Sequence, residues 1–129
     1  MSLYLLDSDC LIDFIKGIPT SVTLVRDLFQ QLDDVGTCDV VVAEVWSGLR
    51  EHELESANEL VGTFEFLPTT VEIAQQAGRW RYVFARRGVQ LSTQDTLIAA
   101  TASLYNATLV TANLKDFPMD GLRILELPR

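Results

Sequence analysis

Residues 92–117 read STQDTLIAATASLYNATLVTANLKDF, and this stretch decides the fold of the chain. After Ser92 the sequence is rich in alanine and carries leucine and isoleucine at helical spacing, which predicts a helix. Residues 108–111 then form a short run of β-branched and apolar residues, which predicts a strand followed by a loop. A helix that leads directly into a buried strand is typical of a parallel sheet covered by helices.

The rest of the chain alternates in the same way between short apolar runs and longer segments with helical periodicity. Strands are predicted at residues 3–6, 40–42, 66–67, 108–111 and 122–125. Helices are predicted at residues 10–14, from 21 to a break at Gly36, from 44 to 64, at 70–87 and from 92 onward. We therefore predict an α/β fold with three layers, α/β/α, around a short and mostly parallel sheet, in a single domain over residues 1–129.

The composition is that of an ordinary globular domain, with 48% hydrophobic and 22% charged residues in a chain of 129 residues. A chain of this length suits one domain with one core. No apolar run is long enough to span a membrane, and the N-terminus lacks the pattern of a secretory signal. These features predict a cytoplasmic protein without a membrane partner.

The few cysteine and histidine residues exclude several kinds of site. Cys10 and Cys38 both lie in apolar surroundings, and two cysteines are too few for a disulfide framework or a zinc site. We expect both thiols to be buried and reduced. His52 is the only histidine and lies in a polar stretch, so Ser-His-Asp or Cys-His catalysis is hard to build.

Four acidic residues lie at the edges of separate apolar segments: Asp7, Glu44, Asp95 and Asp116. Two follow the first two predicted strands, one lies in the loop after the fourth strand, and Asp95 lies at a helix start. Because the carboxyl ends of parallel strands share one edge of a sheet, we expect the four carboxylates to converge there. Gathered like charges repel, and a divalent cation is the simplest means of holding them together.

This predicted cluster favours Mg²⁺ or Mn²⁺ and the hydrolysis of phosphodiester bonds. Carboxylate and water oxygens are the ligands that these hard cations prefer. Such ions stabilise negative charge on a phosphodiester and lower the pKa of a bound water. We expect Asp7 and Asp95 to be the main ligands. Glu44 and Asp116 would bind a second ion or orient the attacking water.

Each of these carboxylates also has a local explanation that involves no ligand. Asp7 suits a turn, Asp95 a capping box with Ser92, Glu44 the positive end of a helix, and Asp116 a turn with Asn113. Asp9 is a fifth carboxylate nearby, and its position favours a helix cap over a ligand. Four separate local roles would have to coincide at one edge of the sheet, whereas one shared site explains all four positions. We therefore favour a shared site.

The net charge of −8 argues against broad electrostatic binding of nucleic acid. A local basic patch stands out, with aromatic residues between its members: Arg79, Arg81, Arg86 and Arg87. The patch predicts contacts with an RNA backbone, and it is equally typical of a solvated helix face. Both interpretations stay open from the sequence.

Three segments together resemble the PIN-domain ribonucleases, and among them the VapC-like toxins of bacterial toxin–antitoxin pairs. They are LLDSDCLIDF at residues 5–14, VVAEVWSGL at residues 41–49, and the stretch at residues 92–117. The last segment is the most specific, because its Asp-x-x-Ile-Ala-Ala, Leu-Val-Thr-x-Asn and Asp-Phe elements occur together. The order and spacing of the motifs cover almost the whole chain.

The resemblance implies a metal-dependent endoribonuclease with a small α/β/α fold, often a homodimer, that a cognate antitoxin neutralises. Asp7, Glu44, Asp95 and Asp116 match the acidic site of the family, and Thr111 and Asn113 match its supporting polar positions. Asp9 is a departure, because the family more often has Asn or Ser at this place. An added charge there would change the affinity for the metal.

The resemblance also implies that a segment of the antitoxin occupies an apolar groove near the early helices. The candidates for this groove are Trp46, Leu49, Leu54 and Phe64. Ordinary packing in the core is the alternative, and we expect it for about two of every three such residues because buried apolar residues are mostly packing.

Three other functions stay open. Asp7 and Asp9 resemble the opening Asp-x-Asp of haloacid dehalogenase-type phosphatases, with Asp7 as nucleophile and Asp9 as acid, but the chain is short for that fold and lacks its later motif. A phosphorelay receiver would need an aspartate after a central third strand, which is missing here. A domain that binds RNA without cutting it is the third, and the presence of all four carboxylates argues against it.

Overall fold

The computed structural model describes residues 2–128, which contain a five-stranded parallel sheet. Its strands are β1 (Leu3–Leu6), β2 (Asp34–Cys38), β3 (Glu65–Leu67), β4 (Thr108–Thr111) and β5 (Ile124–Glu126). The spatial order is β3-β2-β1-β4-β5, and every neighbouring pair is parallel. Both edge strands are only three residues long.

In the described part of the chain, six α-helices flank the sheet, which is the α/β arrangement predicted from the sequence. They are α1 (Ser8–Ile15), α2 (Pro19–Gln30), α3 (Asp39–Ser47), α4 (Leu54–Val61), α5 (Val71–Arg86) and α6 (Thr93–Leu104). Two short 3₁₀ turns lie at Glu51–Glu53 and Leu114–Asp116. None of the helices within residues 2–128 is both long and apolar enough to cross a lipid bilayer.

The strand order reverses between β1 and β4, at the centre of the sheet. Leu5 pairs with Gly36 of β2 on one side and with Leu109 of β4 on the other. The chain builds the sheet outward from β1 through β2 to β3, and then returns to build outward from β4 to β5. In open parallel sheets a crevice for ligands forms outside the carboxyl ends of the strands at such a reversal.

The core lies around the two central strands and α6. Leu5, Leu109 and Val110 have no measurable exposure, and Ile98 of α6 is likewise fully buried. The alanines of α6 are also buried, and their small side chains allow close packing against α5 and β4. The most specific stretch of the sequence therefore forms the most buried part of the fold.

The predicted strand at residues 40–42 is wrong, because these valines lie in helix α3. Three successive β-branched residues favour a strand by propensity, but burial in the folded chain overrides a weak local preference. In α3, Val41 and Val45 lie one helical turn apart and are both buried. The actual second strand is β2, a less apolar segment that precedes the helix.

The sequence predicted that Gly36 ends a helix, but in the structure Gly36 lies inside β2. A side chain there would have its first carbon only 3.2 Å from a methyl group of Leu67 and 3.4 Å from the carbonyl oxygen of Glu65. Glycine at this position therefore permits the close approach of β2 to β3. The final strand begins at Ile124, two residues later than predicted.

Both cysteines are buried and neither is in a disulfide, as the sequence predicted. Cys38 ends β2 with no exposed surface, and burial raises the pKa of its thiol. A thiol with a raised pKa is mostly protonated at neutral pH, so it is a poor nucleophile. Cys38 therefore contributes packing to the core.

Ile98→Ala is expected to reduce the free energy of unfolding by about 2–5 kcal/mol, because it removes buried methyl groups and leaves a cavity. Val71→Ala is the matched control, since Val71 is 69% exposed and its change should stay within about 0.5 kcal/mol. Urea denaturation of both variants measures the difference. Equal midpoints for the two variants would contradict the placement of α6 in the core.

Candidate active site

Asp7 lies at the reversal of the strand order, directly after β1, and it is the N-cap of α1. Its backbone N–H donates to the carbonyl of Val110 in β4 at 2.8 Å. Its Oδ1 accepts a hydrogen bond from the backbone N–H of Ser8, and its Oδ2 accepts one from the hydroxyl of Thr111, both at 2.8 Å. Asp7 is only 6% exposed, so these bonds fix the orientation of a buried carboxylate.

Burial raises the pKa of Asp7 above its ordinary value, since a charge is costly to remove from water. The hydrogen bonds from Thr111 and Ser8 lower this pKa, because they stabilise the charged form. The charges of Asp95 and Asp9 raise it again. Asp7 is thus a carboxylate whose charge is opposed by both burial and neighbouring acids.

Asp95 lies in the first turn of α6, and Ser92 is the N-cap of that helix. The Ser92 hydroxyl accepts a hydrogen bond from the backbone N–H of Asp95 at 3.0 Å, which is the cap predicted from the sequence. Burial raises the pKa of Asp95, and a hydrogen bond with Ser92 lowers it. The charges of Asp116, Glu44 and Asp9 raise this pKa further, in that order.

These effects show that Asp95 lies within electrostatic reach of Asp116 and Glu44, and that Asp7 lies within electrostatic reach of Asp95. Four acids from distant parts of the chain therefore face one edge of the sheet. The purely local explanations account for single caps and turns, but they do not account for this mutual repulsion.

Glu44 reaches the site by a different element from the one predicted. It lies in the last turns of α3 and not at the end of a strand, so it is also not at the positive end of its helix. Its side chain is exposed, and its Oε1 accepts a hydrogen bond from the hydroxyl of Ser8 at 2.8 Å. Ser8 thereby links α3 to the first turn of α1.

The sequence suggested that Asp9 caps α1, but Asp7 occupies the N-cap position. Asp9 lies in the first turn, where the side-chain amide of Asn113 donates to its Oδ2 at 2.8 Å. The backbone N–H of Asn113 donates in turn to the hydroxyl of Thr111 at 3.0 Å. Thr111 and Asn113 therefore hold two carboxylates of α1 against the end of β4.

Asp116 closes the short 3₁₀ turn after β4 and is half-buried. The turn is held by a hydrogen bond from the backbone N–H of Asp116 to the carbonyl of Asn113, at 3.1 Å. The backbone thus forms the turn with Asn113 that the sequence suggested. The charge of the Asp116 carboxylate raises the pKa of Asp95.

Sequence reasoning underrated two residues of this site, Ser8 and Asp9. Both belong to the Asp-Ser-Asp tripeptide that starts α1. In the first turn of a helix, successive residues point in different directions, so each can contact a different neighbour. The signal was the density of polar side chains directly after a buried strand.

The chemistry of these donors fits a hard divalent cation. Within residues 2–128, no group of three or more Asp, Glu, His or Cys side chains is placed so that it could hold a metal ion by itself. Mg²⁺ usually binds through one or two carboxylates and retains several waters, so it does not need such a set. The repulsion that raises the pKa of Asp7 and of Asp95 is what a bound cation would relieve.

The four arginines of the basic patch lie at the C-terminal half of α5 and just beyond it. The guanidinium groups of Arg79 and Arg86 lie over the ring of Tyr82, at 4.6 and 4.3 Å from its centroid. Arg87 lies over Phe84 at 5.1 Å. Arg81 differs from the others, because its Nε donates to the backbone carbonyl of Leu91 at 3.0 Å.

The four apolar candidates for an antitoxin groove divide between core and surface. Trp46 and Leu49 are half-buried against the main core, and Phe64 is buried, where it stacks on Phe14 at 5.7 Å between ring centroids. Leu54 is exposed on α4. Packing therefore accounts for three of these residues, and Leu54 alone is on the surface.

Asp95→Asn is expected to be at least as stable as the wild type at neutral pH. The pKa of Asp95 is raised in the folded state, so the folded protein holds this proton more tightly than the unfolded chain does. Wild-type stability therefore falls as the pH rises from the ordinary value of 3.8 through the folded-state pKa. Thermal unfolding of both proteins across this range measures the difference.

The stability of Asp95→Asn relative to the wild type should increase as the pH rises from 3.8 through the folded-state pKa of Asp95, and it should stay constant at higher pH. Asp27→Asn, at an exposed acid of α2, is the control for the loss of one negative charge elsewhere on the surface. A wild type that gains stability relative to Asp95→Asn as the pH rises would contradict the electrostatic description of the site.

Known proteins resemble this chain over most of its length. The PIN domain family matches residues 4–118. A protein named Ribonuclease VapC19 from Mycobacterium tuberculosis is 32% identical over 117 residues, which cover 89% of this chain and 92% of the relative. A protein named Ribonuclease VapC2 from Rickettsia felis is 26% identical over 129 residues, which cover 96% of each chain.

Solved structures share the fold from end to end. A chain in the crystal structure of VapBC2 from Rickettsia felis bound to promoter DNA gives a TM-score of 0.87 at 21% identity, covering 98% of this chain and 99% of that one. A chain of DNA-bound VapBC from Salmonella typhimurium gives 0.85 at 23% identity, with 99% and 100% coverage. At such identities the likeness establishes the fold alone, and it confirms the predicted α/β/α class. From the match over residues 4–118 and the identity to its relatives, the chain belongs to the PIN-domain family, as its three motifs indicated.

Proposed function

We propose that this chain is an endoribonuclease that hydrolyses RNA phosphodiester bonds and acts as the toxin of a toxin–antitoxin pair. The observation that carries the proposal is the group of mutually repelling carboxylates around Asp7 and Asp95, at the strand reversal of a PIN fold. Relatives named ribonucleases, 32% identical over most of the chain, support the same activity.

In this proposal Asp7 and Asp95 are the main metal ligands, and the ion is Mg²⁺ or Mn²⁺. A bound ion of this kind would lower the pKa of a water and offset the charge of the phosphodiester. Glu44 and Asp116 bind a second ion or orient the attacking water. Thr111 and Asn113 act as supporting residues, because they fix the orientation of Asp7 and Asp9 through hydrogen bonds.

RNA is negatively charged, and so is this protein overall, so the substrate needs local positive charge near the site. We propose that the basic patch supplies it. Arg79, Arg86 and Arg87 are exposed, whereas Arg81 is tied to the backbone of Leu91. The first three are therefore the better candidates for contacts with phosphates.

We further propose that the chain works as a single domain, in the cytoplasm, with a cognate antitoxin and a second copy of itself as partners. The solved structures with the same fold include complexes described as toxin–antitoxin systems, which supports such a partner. Leu54, on the surface of α4, is the candidate of the predicted groove that is available for an antitoxin segment. An antitoxin side chain with positive charge would suit the acidic site.

The family match disfavours the phosphatase alternative. The chain matches the PIN domain family over residues 4–118, and at 129 residues it is short for the phosphatase fold. The acid of that alternative, Asp9, accepts a hydrogen bond from the side-chain amide of Asn113. No contact in residues 2–128 favours a domain that binds RNA without cutting it over the nuclease.

Purified protein is expected to cleave a mixed RNA pool in the presence of Mg²⁺ or Mn²⁺, and EDTA should abolish the cleavage. Asp7→Asn and Asp95→Asn should each lower the cleavage rate by at least about 100-fold, because each removes a charged group from the reacting centre. Gel analysis of end-labelled RNA measures the rate.

Asp27→Asn is the control variant for this assay, since it removes an exposed charge on α2 and should leave the rate unchanged. A phosphatase assay on the same sample tests the alternative. Cleavage that persists in EDTA or in both site variants would place the activity elsewhere or in a contaminant.

The small protein encoded beside this chain is expected to co-purify with it when the two are expressed together. Leu54→Arg should weaken this complex, because it places a charge where an apolar segment is proposed to bind. Leu104→Arg is the matched control, since Leu104 is exposed to a similar degree at the end of α6. Recovery of equal amounts of partner with both variants would exclude α4 from the interface.

A further inference from the structure

A groove of about 310 Å³ runs beside α5, outside the acidic site. One wall is formed by α5, with the exposed Arg79 and Val83, the half-buried Trp80 and the edge of the buried Phe84. Arg87 lies at one end, and Asp120, from the loop after β4, forms part of the opposite wall. Its volume lies at the lower end of the range of about 300–1,000 Å³ that is usual for small-ligand sites.

We propose that this groove binds one unpaired nucleotide of the RNA substrate, next to the bond that is cut. The proposal rests on the proposed ribonuclease function and adds a place where the substrate is held. Its occupant is single-stranded RNA, identified by three properties of the groove: the sign of its charge, its flat surfaces and its polar atoms.

The charge of the groove is opposite to that of the chain as a whole. Residues 79–87 carry four arginines and no acid, in a chain with ten basic residues and a net charge of −8. Two of the four, Arg79 and Arg87, line the groove. A phosphate backbone is repelled by most of this surface and attracted here.

The walls of the groove offer flat surfaces to a base. Trp80 is half-buried, so part of its ring faces the groove, and Val83 beside it is 37% exposed. Phe84 is covered by the guanidinium plane of Arg87 at 5.1 Å. Aromatic rings and guanidinium planes are the surfaces on which proteins stack unpaired RNA bases.

The groove also offers polar atoms that a simple anion would not use. Asp120, from the loop after β4, supplies acceptor oxygens, and Gln76 of α5 supplies both a donor and an acceptor. Carboxylates and amides suit the amino and carbonyl groups at the edges of bases. Unpaired nucleotides, such as those of single-stranded RNA, expose those edges together with a base face. The groove thus suits a nucleotide better than a bare phosphate.

The groove is formed by the same segments that carry the acidic site. Asp120 lies four residues after Asp116 in the same loop. Arg81 of α5, which does not itself line the groove, donates to the carbonyl of Leu91, the residue before the N-cap of the helix that holds Asp95. In this proposal the RNA strand lies across the acids and then enters the groove, along segments that these links connect.

Binding without cleavage tests the proposal. In an Asp95→Asn background, a fluorescent single strand of roughly eight nucleotides, within the 4–16 that single-strand sites cover, is titrated at several salt concentrations. Arg79→Ala and Arg87→Ala should each weaken binding by at least about fivefold, and each should lower the salt slope by about 0.7, the value for one phosphate contact on a single strand. Arg26→Ala, an exposed arginine of α2, is the matched control.

Equal affinities for the three arginine variants would overturn the proposal, as would a failure of the Asp95→Asn protein to bind the strand. So would variants that bind RNA normally and lose a co-expressed antitoxin, because the groove would then belong to that partner. Thermal unfolding checks that the variants remain folded, which their exposed positions favour.

Stacking on Trp80 has a separate measurement. The chain has two tryptophans, so Trp46→Phe leaves Trp80 as the only one. RNA is expected to quench its fluorescence at the same concentrations at which the strand binds. Emission that does not change on binding would exclude a base against this ring.

Cleavage kinetics separate this proposal from the proposed function itself. Arg79→Ala and Arg87→Ala should raise KM about fivefold or more and change kcat little, because the groove contacts the neighbouring nucleotide and not the reacting atoms themselves. A wild type that cleaves RNA, with arginine variants that keep its KM, would reject the groove and retain the nuclease. A wild type that cleaves no RNA would reject the nuclease, and the binding measurements would still decide whether the groove takes RNA.

Discussion

The hydrogen bond from the Thr111 hydroxyl to the Asp7 carboxylate is the contact on which the acidic site depends. Asp7 follows β1 and Thr111 ends β4, and the strand order reverses between these two strands. The bond therefore joins the two halves of the sheet where the crevice opens. It also replaces part of the hydration that Asp7 loses on burial, so a charged group can remain there beside other acids.

The acidic site lowers the stability of the folded protein, and the packing of the surrounding core offsets this cost. Burial and mutual repulsion oppose the charges of Asp7 and Asp95, which costs free energy in the folded state. The elements that carry them, β1, β4 and α6, are also the most buried parts of the chain. A tightly packed support is what lets a protein hold like charges at fixed positions.

The sequence predicted the parts of the fold in which local pattern and burial agree. The strands at Leu3–Leu6 and Thr108–Thr111 and the alanine-rich helix between them were found, and with them the places of Asp7 and Asp95. The sequence failed at residues 34–47, because the strand there contains polar residues and a glycine while the helix is rich in valine. The sequence predicted that Glu44 follows a strand, whereas it lies in helix α3. Its hydrogen bond to Ser8 could not be predicted from local sequence, because the two residues lie far apart in the chain.

The short edge strands restrict how this protein can associate with others. β3 and β5 have three residues each, so either edge offers only a few unpaired backbone groups to another chain. A continuous sheet across two molecules would gain little hydrogen bonding from such edges, although Phe66 on β3 is 54% exposed. Association must then rely on side chains of the helices. A sheet with edges this short is also a poor template for the strand-by-strand growth that leads to fibres.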